Sequence, residues 1–269
     1  MITPGQDEAL YLFYVTKAGF SGDVEDPGLN SADSQLVHHY GDFACVLGIV
    51  SIDDFCGPEA ERNLNDLGWV GERALRHQRV IEQGFHRGPV LPARFGTLFS
   101  SLAALERFIE ANRPTIADYL DRVQEREEWG IKALLERPTA TKWLSAQIVA
   151  GASSERPASP GLRYIQQRQS EAAAEKQLQR WLLDACESIA RSLDDYASDR
   201  RQRRILDGTI PDDSREVILN IAALIPRERR GALIAHIENI NAERAQQGLS
   251  FVLNGPWPPY SFCPPLTTP

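Results

Sequence analysis

The chain has 269 residues, 42% of them hydrophobic and 25% charged, with a formal net charge of -8. That size and balance suffice to bury the core of one large domain or two smaller ones. The negative charge argues against a protein whose main work is binding nucleic acid or an anionic membrane, since both need clustered Lys and Arg.

Cys45, Cys56, Cys186 and Cys263 have neither CxxC nor zinc-ligand spacing, and they read as idle thiols in a reducing cytosol. The opening M-I-T-P-G-Q-D-E-A-L has no basic region followed by an apolar one. No apolar run approaches the ~20 residues of a membrane span. The expectation is a cytoplasmic protein without a transmembrane segment.

Residues 9–16, A-L-Y-L-F-Y-V-T, are aromatic and β-branched, which predicts a buried first strand. Residues 20–34 read as a loop, and His38-His39 as part of a polar loop before a second strand over 43–50. Pro58 suits the start of a helix that carries Val70, Ala74, His77 and Ile81 on one face and ends at Gly84 or Gly88. Residues 89–99 are extended. Ser100 or Ser101 can cap the next helix, and Pro114 restarts it with Ile116, Tyr119, Leu120 and Val123 facing inward.

Glu125 to Glu128 reads as a solvated, charged break, and the domain boundary is placed there: residues 1–126 form an N-terminal α+β domain and 127–269 a C-terminal one. The second half continues with a strand from Trp129 to Leu135 and a short helix from about Thr139 to Val149. A long helix follows, with Leu178, Leu182, Ala185, Ile189 and Leu193 on its seam. Then come a strand from Arg215 to Ile225, a helix opened by Pro226 and closed by Gly248, and a last strand from Leu249 to Leu253. This order approximates β-α-α-β-α-β, so the fold class is α+β in two domains, the second ferredoxin-like with a long helix.

Chemistry-bearing patterns are scarce. None of the nucleophile-elbow, zincin, P-loop or dinucleotide signatures is present, and no cofactor or metal set can be assembled from the sequence. His77 lies on an apolar stripe and reads as a core histidine. Cys45 sits in an apolar strand, where burial makes a thiol inert. Cys56 precedes a helix start and reads as an ordinary loop residue. Arg200, Arg201, Arg203 and Arg204 fall at the end of the long helix, where the macrodipole favours cations. Without a catalytic constellation, binding or assembly is favoured over an enzyme.

Three stretches carry a resemblance. Residues 91–99, L-P-A-R-F-G-T-L-F, follow a helix bearing H-Q-R-V-I-E. Residues 128–132 are E-W-G-I-K, and residues 254–262 are N-G-P-W-P-P-Y-S-F. Together, in this order, they resemble the signatures of the GvpF/GvpL family of gas vesicle proteins. The resemblance leaves F-like and L-like subtypes open.

It implies an accessory or minor structural protein of gas vesicle formation, not an enzyme. The implied partners are the small hydrophobic shell protein GvpA and other accessory proteins, with no nucleic acid, cofactor or metal. The implied location is the cytoplasm and the gas vesicle. The implied architecture is an N-terminal α+β domain and a ferredoxin-like C-terminal one. A tandem ferredoxin-like ligand-binding or regulatory module, or a small enzyme unconnected with gas vesicles, is the alternative.

Arg94, Phe95, Gly96 and Trp129 are candidate partner contacts, and each also has a plain structural reading. Gly96 allows a turn, Phe95 and Trp129 fill cores, and Arg94 pairs with a carboxylate such as Glu128. The prolines around Trp257, Tyr260 and Phe262 hold those rings in fixed directions, either packed back on the body of the protein or presented to a partner.

Overall fold

The computed structural model describes residues 4–19, 28–29, 35–151, 160–205 and 215–267. The expected loop over 20–34 falls almost wholly outside them. The described chain is α+β, with two antiparallel sheets. It divides into two compact units, Glu128–Pro256 and the remainder, Met1–Glu127 with Trp257–Pro269. The terminal residues thus leave the last strand and join the first unit.

In the first unit, β1 (Glu8–Lys17) is central, between β3 (Phe43–Ser51) on one side and the short β4 (Val90–Pro92) and β5 (Leu98–Phe99) on the other. All these pairings are antiparallel, and the β1–β3 register shifts between Leu12 and Tyr14. Residues of both parities along β1 are buried, so both faces of the strand are covered. That explains its uninterrupted apolar run.

The outer edge is β2 (Leu36–Tyr40), paired with β3. This corrects the reading of His38-His39 as loop: both lie in a strand, and His38 Nε2 sits 3.0 Å from Glu106.

The stretch from Pro58 is not one helix. After the single turn α1 (Ile52–Phe55), α2 (Pro58–Asn65) stops at Asp66, whose side chain accepts from the Gly68 and Trp69 N–H groups and starts α3 (Leu67–Arg87). An Asp at this position competes for the backbone donors of the next turn and so restarts the helix. Val80, Ile81 and Phe85 of α3 pack on Tyr11, Phe13, Tyr14 and Val46. Ser101 caps α4 (Leu102–Ala111) by accepting from the Ala104 N–H, and α5 (Arg113–Val123) follows at once with Pro114 in its first turn.

In the second unit, β6 (Arg126–Leu135) leads through α6 (Arg137–Gly151) and the long α7 (Pro160–Ser192) to β7 (Asp199–Gln202) and β8 (Glu216–Pro226). Helix α8 (Arg230–Arg244) and β9 (Leu249–Trp257) complete it. The strand order is β7-β8-β6-β9. Ala185, Ile189 and Leu193, together with Leu233, Ile237 and Ile240, pack on Ile131, Ala133, Ile221 and Ala223.

Two expectations fail here. The arginines of 200–204 do not crown a helix C-terminus, because α7 ends at Ser192 and Arg200 and Arg201 lie in β7. Glu127 and Glu128 are not a solvated turn. They are strand residues, each 1% exposed.

Candidate functional site

The L-P-A-R-F-G-T stretch forms β4 and then a tight turn. The Thr97 N–H donates to the Arg94 carbonyl at 3.1 Å, the Thr97 hydroxyl donates to the same oxygen at 2.7 Å, and Gly96 has φ +80°. A positive φ at the third residue is what a type II turn requires, and it selects Gly.

The turn is fastened to the core by two side chains. His77 Nε2 lies 3.2 Å from the Ala93 carbonyl and Nδ1 lies 2.9 Å from the Tyr11 hydroxyl, while the Gly96 N–H donates to that hydroxyl at 3.2 Å. A carbonyl can only accept, so Nε2 carries the proton, Nδ1 accepts from Tyr11, and Tyr11 accepts from Gly96. Every group in the chain is satisfied with His77 neutral. Burial lowers its pKa to about 4, opposed by the bond to Ala93. Burial also pushes the Tyr11 phenol above its ordinary range. Phe95 packs among Tyr11, Phe55 and His77 as an aromatic wall, and Arg94, the first residue of the turn, is exposed.

The terminal segment returns to this region. Tyr260 donates to Gln78 Oε1 at 2.6 Å, Tyr119 donates to the Pro259 carbonyl at 3.0 Å, and Arg122 donates to the Phe262 carbonyl at 2.7 Å. Phe262 is fully buried. Beyond it, Asn112 donates to the Thr267 carbonyl and accepts from its N–H, both at 2.9 Å, as a strand neighbour would. Trp257, at the end of β9, is half-buried.

Between the turn, α3 and the terminal segment lies a cavity of about 890 Å³. Its walls include Ala74, Gln78, Pro92, Phe95, Phe108 and Leu266. Arg94 lines it too, and with His77 neutral it is the one charged side chain there among the described residues.

The sequence matches a known family of proteins. The family model described as "Gas vesicle synthesis protein GvpL/GvpF" covers residues 9–264. The chain belongs to this gas vesicle family.

Among curated relatives, "Gas vesicle protein L" of Streptomyces sp. (strain CB03234) is 27% identical over 260 residues, 95% of this chain and 93% of the relative. "Gas vesicle protein F" of the same strain is 27% identical over 191 residues, 70% and 76% of the two chains. The fold is similar to that of the gas vesicle protein GvpF from Anabaena sp. PCC7120, with a TM-score of 0.68 at 17% identity over 97% of this chain and 98% of that one. It is similar also to GvpF from Microcystis aeruginosa, with a TM-score of 0.66 at 15% identity over 95% and 99%.

As a GvpL/GvpF family member, the protein takes part in gas vesicle formation, and the family is a structural one rather than one of enzymes. The alternative of a module unconnected with gas vesicles gives way to this membership.

The E-W-G-I-K signature lies in β6 of the second unit. Trp129 is buried in that unit's core. Glu128 forms an ion pair with Arg203, not with Arg94. The pairing could not be read from the sequence, because Arg203 comes 75 residues later, just past a strand that has no apolar signal.

Cys45, Cys56, Cys186 and Cys263 are free thiols, and burial pushes Cys45 up to about 12. Among the described residues no three His, Cys, Asp or Glu side chains are grouped as a metal site. No described helix is long and apolar enough to cross a membrane.

Proposed function

We propose that this GvpL/GvpF family member is an assembly adaptor that binds the small hydrophobic shell protein GvpA, and other accessory proteins, in the cytoplasm. It covers the shell subunit's apolar face and gives it up at the growing vesicle. A subunit that will face gas aggregates if that face is left in water. No nucleotide signature is present, so release comes from competition with shell–shell contacts.

The observation that carries this reading is the open cavity framed by the R-F-G-T turn and the terminal aromatic segment. Two family signatures far apart in the sequence are fixed there by hydrogen bonds, around a surface with one charged side chain among the described residues. In the second unit, the order β6-α7-β7-β8-α8-β9 with strands arranged β7-β8-β6-β9 supports a ferredoxin-like domain, preceded on the helical side by α6.

The test is a pull-down of GvpA by the full-length chain. Capture supports the adaptor. Failure to capture any vesicle protein removes it.

A further inference from the structure

A strand at the edge of a sheet invites pairing with another chain, and proteins blunt such edges by brevity, charge or cover. Most edges here are blunted in the first two ways. β5 and β4 have two and three residues, β2 has five, and the four residues of β7 include Asp199, Arg200 and Arg201. Strand β9 differs. It has nine residues, L-S-F-V-L-N-G-P-W, with no charge among them. It lies beside β6 with no strand beyond it among the described residues, and Val252 at its middle is 43% exposed.

The centre of this edge is occupied by a side chain. Asn241 of α8 donates from Nδ2 to the Phe251 carbonyl at 2.8 Å, and its Oδ1 accepts from the Phe251 N–H at 2.7 Å. A residue of an antiparallel neighbour strand makes the same two bonds to the residue opposite it. The Gly248 carbonyl, just before β9, accepts from the Glu136 N–H, just after β6. Along an antiparallel pair, alternate residues turn both backbone groups inward or both outward. Ser250 and Val252 therefore face β6 with Gly248, while Leu249, Phe251 and Leu253 turn outward. Asn is a weak helix former, yet Asn241 stands within α8, so helix formation does not account for it there.

We propose that the β9 edge is a self-pairing surface, and that Asn241 is the residue that keeps a second copy of this chain off it. The strand itself selects the occupant. Two copies of β9, antiparallel about a two-fold axis at Phe251, set Phe251 opposite Phe251 and Leu249 opposite Leu253. Each outward N–H of those residues then meets an outward carbonyl. No like charges meet, because the strand has none. The Asn241 amide takes both central bonds of that pairing. This edge plays no part in the adaptor reading, and neither depends on the other.

The test is the mass of the full-length chain by light scattering after size exclusion, across a wide range of concentration, because association follows mass action. Wild type should keep one mass. Asn241→Ala should rise to about twice that mass as concentration increases, as a two-fold pair requires. Adding Val252→Lys places two like charges diagonally across the paired edges at an exposed position, and should restore the wild-type mass. Hydrogen exchange over residues 249–253 should be faster in dilute Asn241→Ala than in wild type, and slow again on concentration.

Equal mass for wild type and Asn241→Ala at every concentration overturns the proposal. A doubled mass that Val252→Lys leaves unchanged places the contact elsewhere and overturns it too. So does a wild-type dimer that Val252→Lys dissolves, since Asn241 would then fail to close the edge. Asn241→Ser is measured beside Asn241→Ala. Loss of a cooperative melt in both would make Asn241 a support of the core, and that result also sinks the proposal.

Discussion

The Tyr11 hydroxyl lies 2.9 Å from Nδ1 of His77, joining the central strand to the first long helix beneath the R-F-G-T turn. It also accepts from the Gly96 N–H. Tyr11→Phe removes both bonds at once and leaves the buried His77 Nδ1 and the half-buried Gly96 N–H without their partner. Each such orphan costs about 1–3 kcal/mol. The melting temperature of the variant should fall by several degrees, measured by circular dichroism. An unchanged value would mean that the turn does not depend on this link.

His77 gives the first unit an acid sensitivity. Its folded pKa is about 4 and its ordinary value 6.5, so between those values the unfolded chain holds a proton that the folded chain does not. Stability from this group is complete above pH 6.5, falls as pH drops towards 4, and is flat below. The span corresponds to up to about 3 kcal/mol. Urea midpoints across that window should fall less steeply for His77→Asn than for wild type. Parallel curves would show that His77 is protonated in the folded state.

Helix α3 contains two glycines whose replacement should act in opposite directions. A Cβ on Gly84 would stand 2.6 Å from the Tyr14 hydroxyl oxygen, so Gly84→Ala forces the helix off the sheet, at about 1–3 kcal/mol. Gly71 faces open space, and Gly71→Ala should stabilise by up to about 1 kcal/mol through helix propensity alone. Thermal melts of the two variants should bracket the wild type. Both falling on one side of it would contradict the packing of α3.

The terminal segment should contribute to the stability of the first unit. Phe262→Ala deletes a fully buried ring and should cost about 3–5 kcal/mol. Tyr260→Phe removes the bond to Gln78 and should cost about 1 kcal/mol. Hydrogen exchange in α3 and α5 should quicken in Phe262→Ala. Unchanged protection there would mean that the segment rests on the surface without supporting it.

Periodicity reveals elements only where burial is one-sided or complete. The run from Ala9 to Thr16 and the seam from Leu178 to Leu193 are legible because nearly every register position obeys the rule. Strand β7 is not, because Asp199–Gln202 is D-R-R-Q and owes its conformation to backbone pairing with β8. Glu127 and Glu128 mislead for the opposite reason: charge predicts solvent, and burial beside Arg203 depends on a residue far along the chain. The break at Asp66 is visible only once the cap is seen.

At the candidate site, the motifs mark which residues matter locally. Their convergence does not show in the sequence. Nothing in N-G-P-W-P-P-Y-S-F says that Tyr260 reaches Gln78, and nothing in L-P-A-R-F-G-T says that Arg94 borders the same cavity.

The most direct measurement of the adaptor account is the sedimentation of GvpA produced with and without the full-length chain. The account predicts that the chain shifts GvpA from the pellet to the supernatant and co-elutes with it on size exclusion. A pellet of the same size in both cases, with no co-elution, would contradict it.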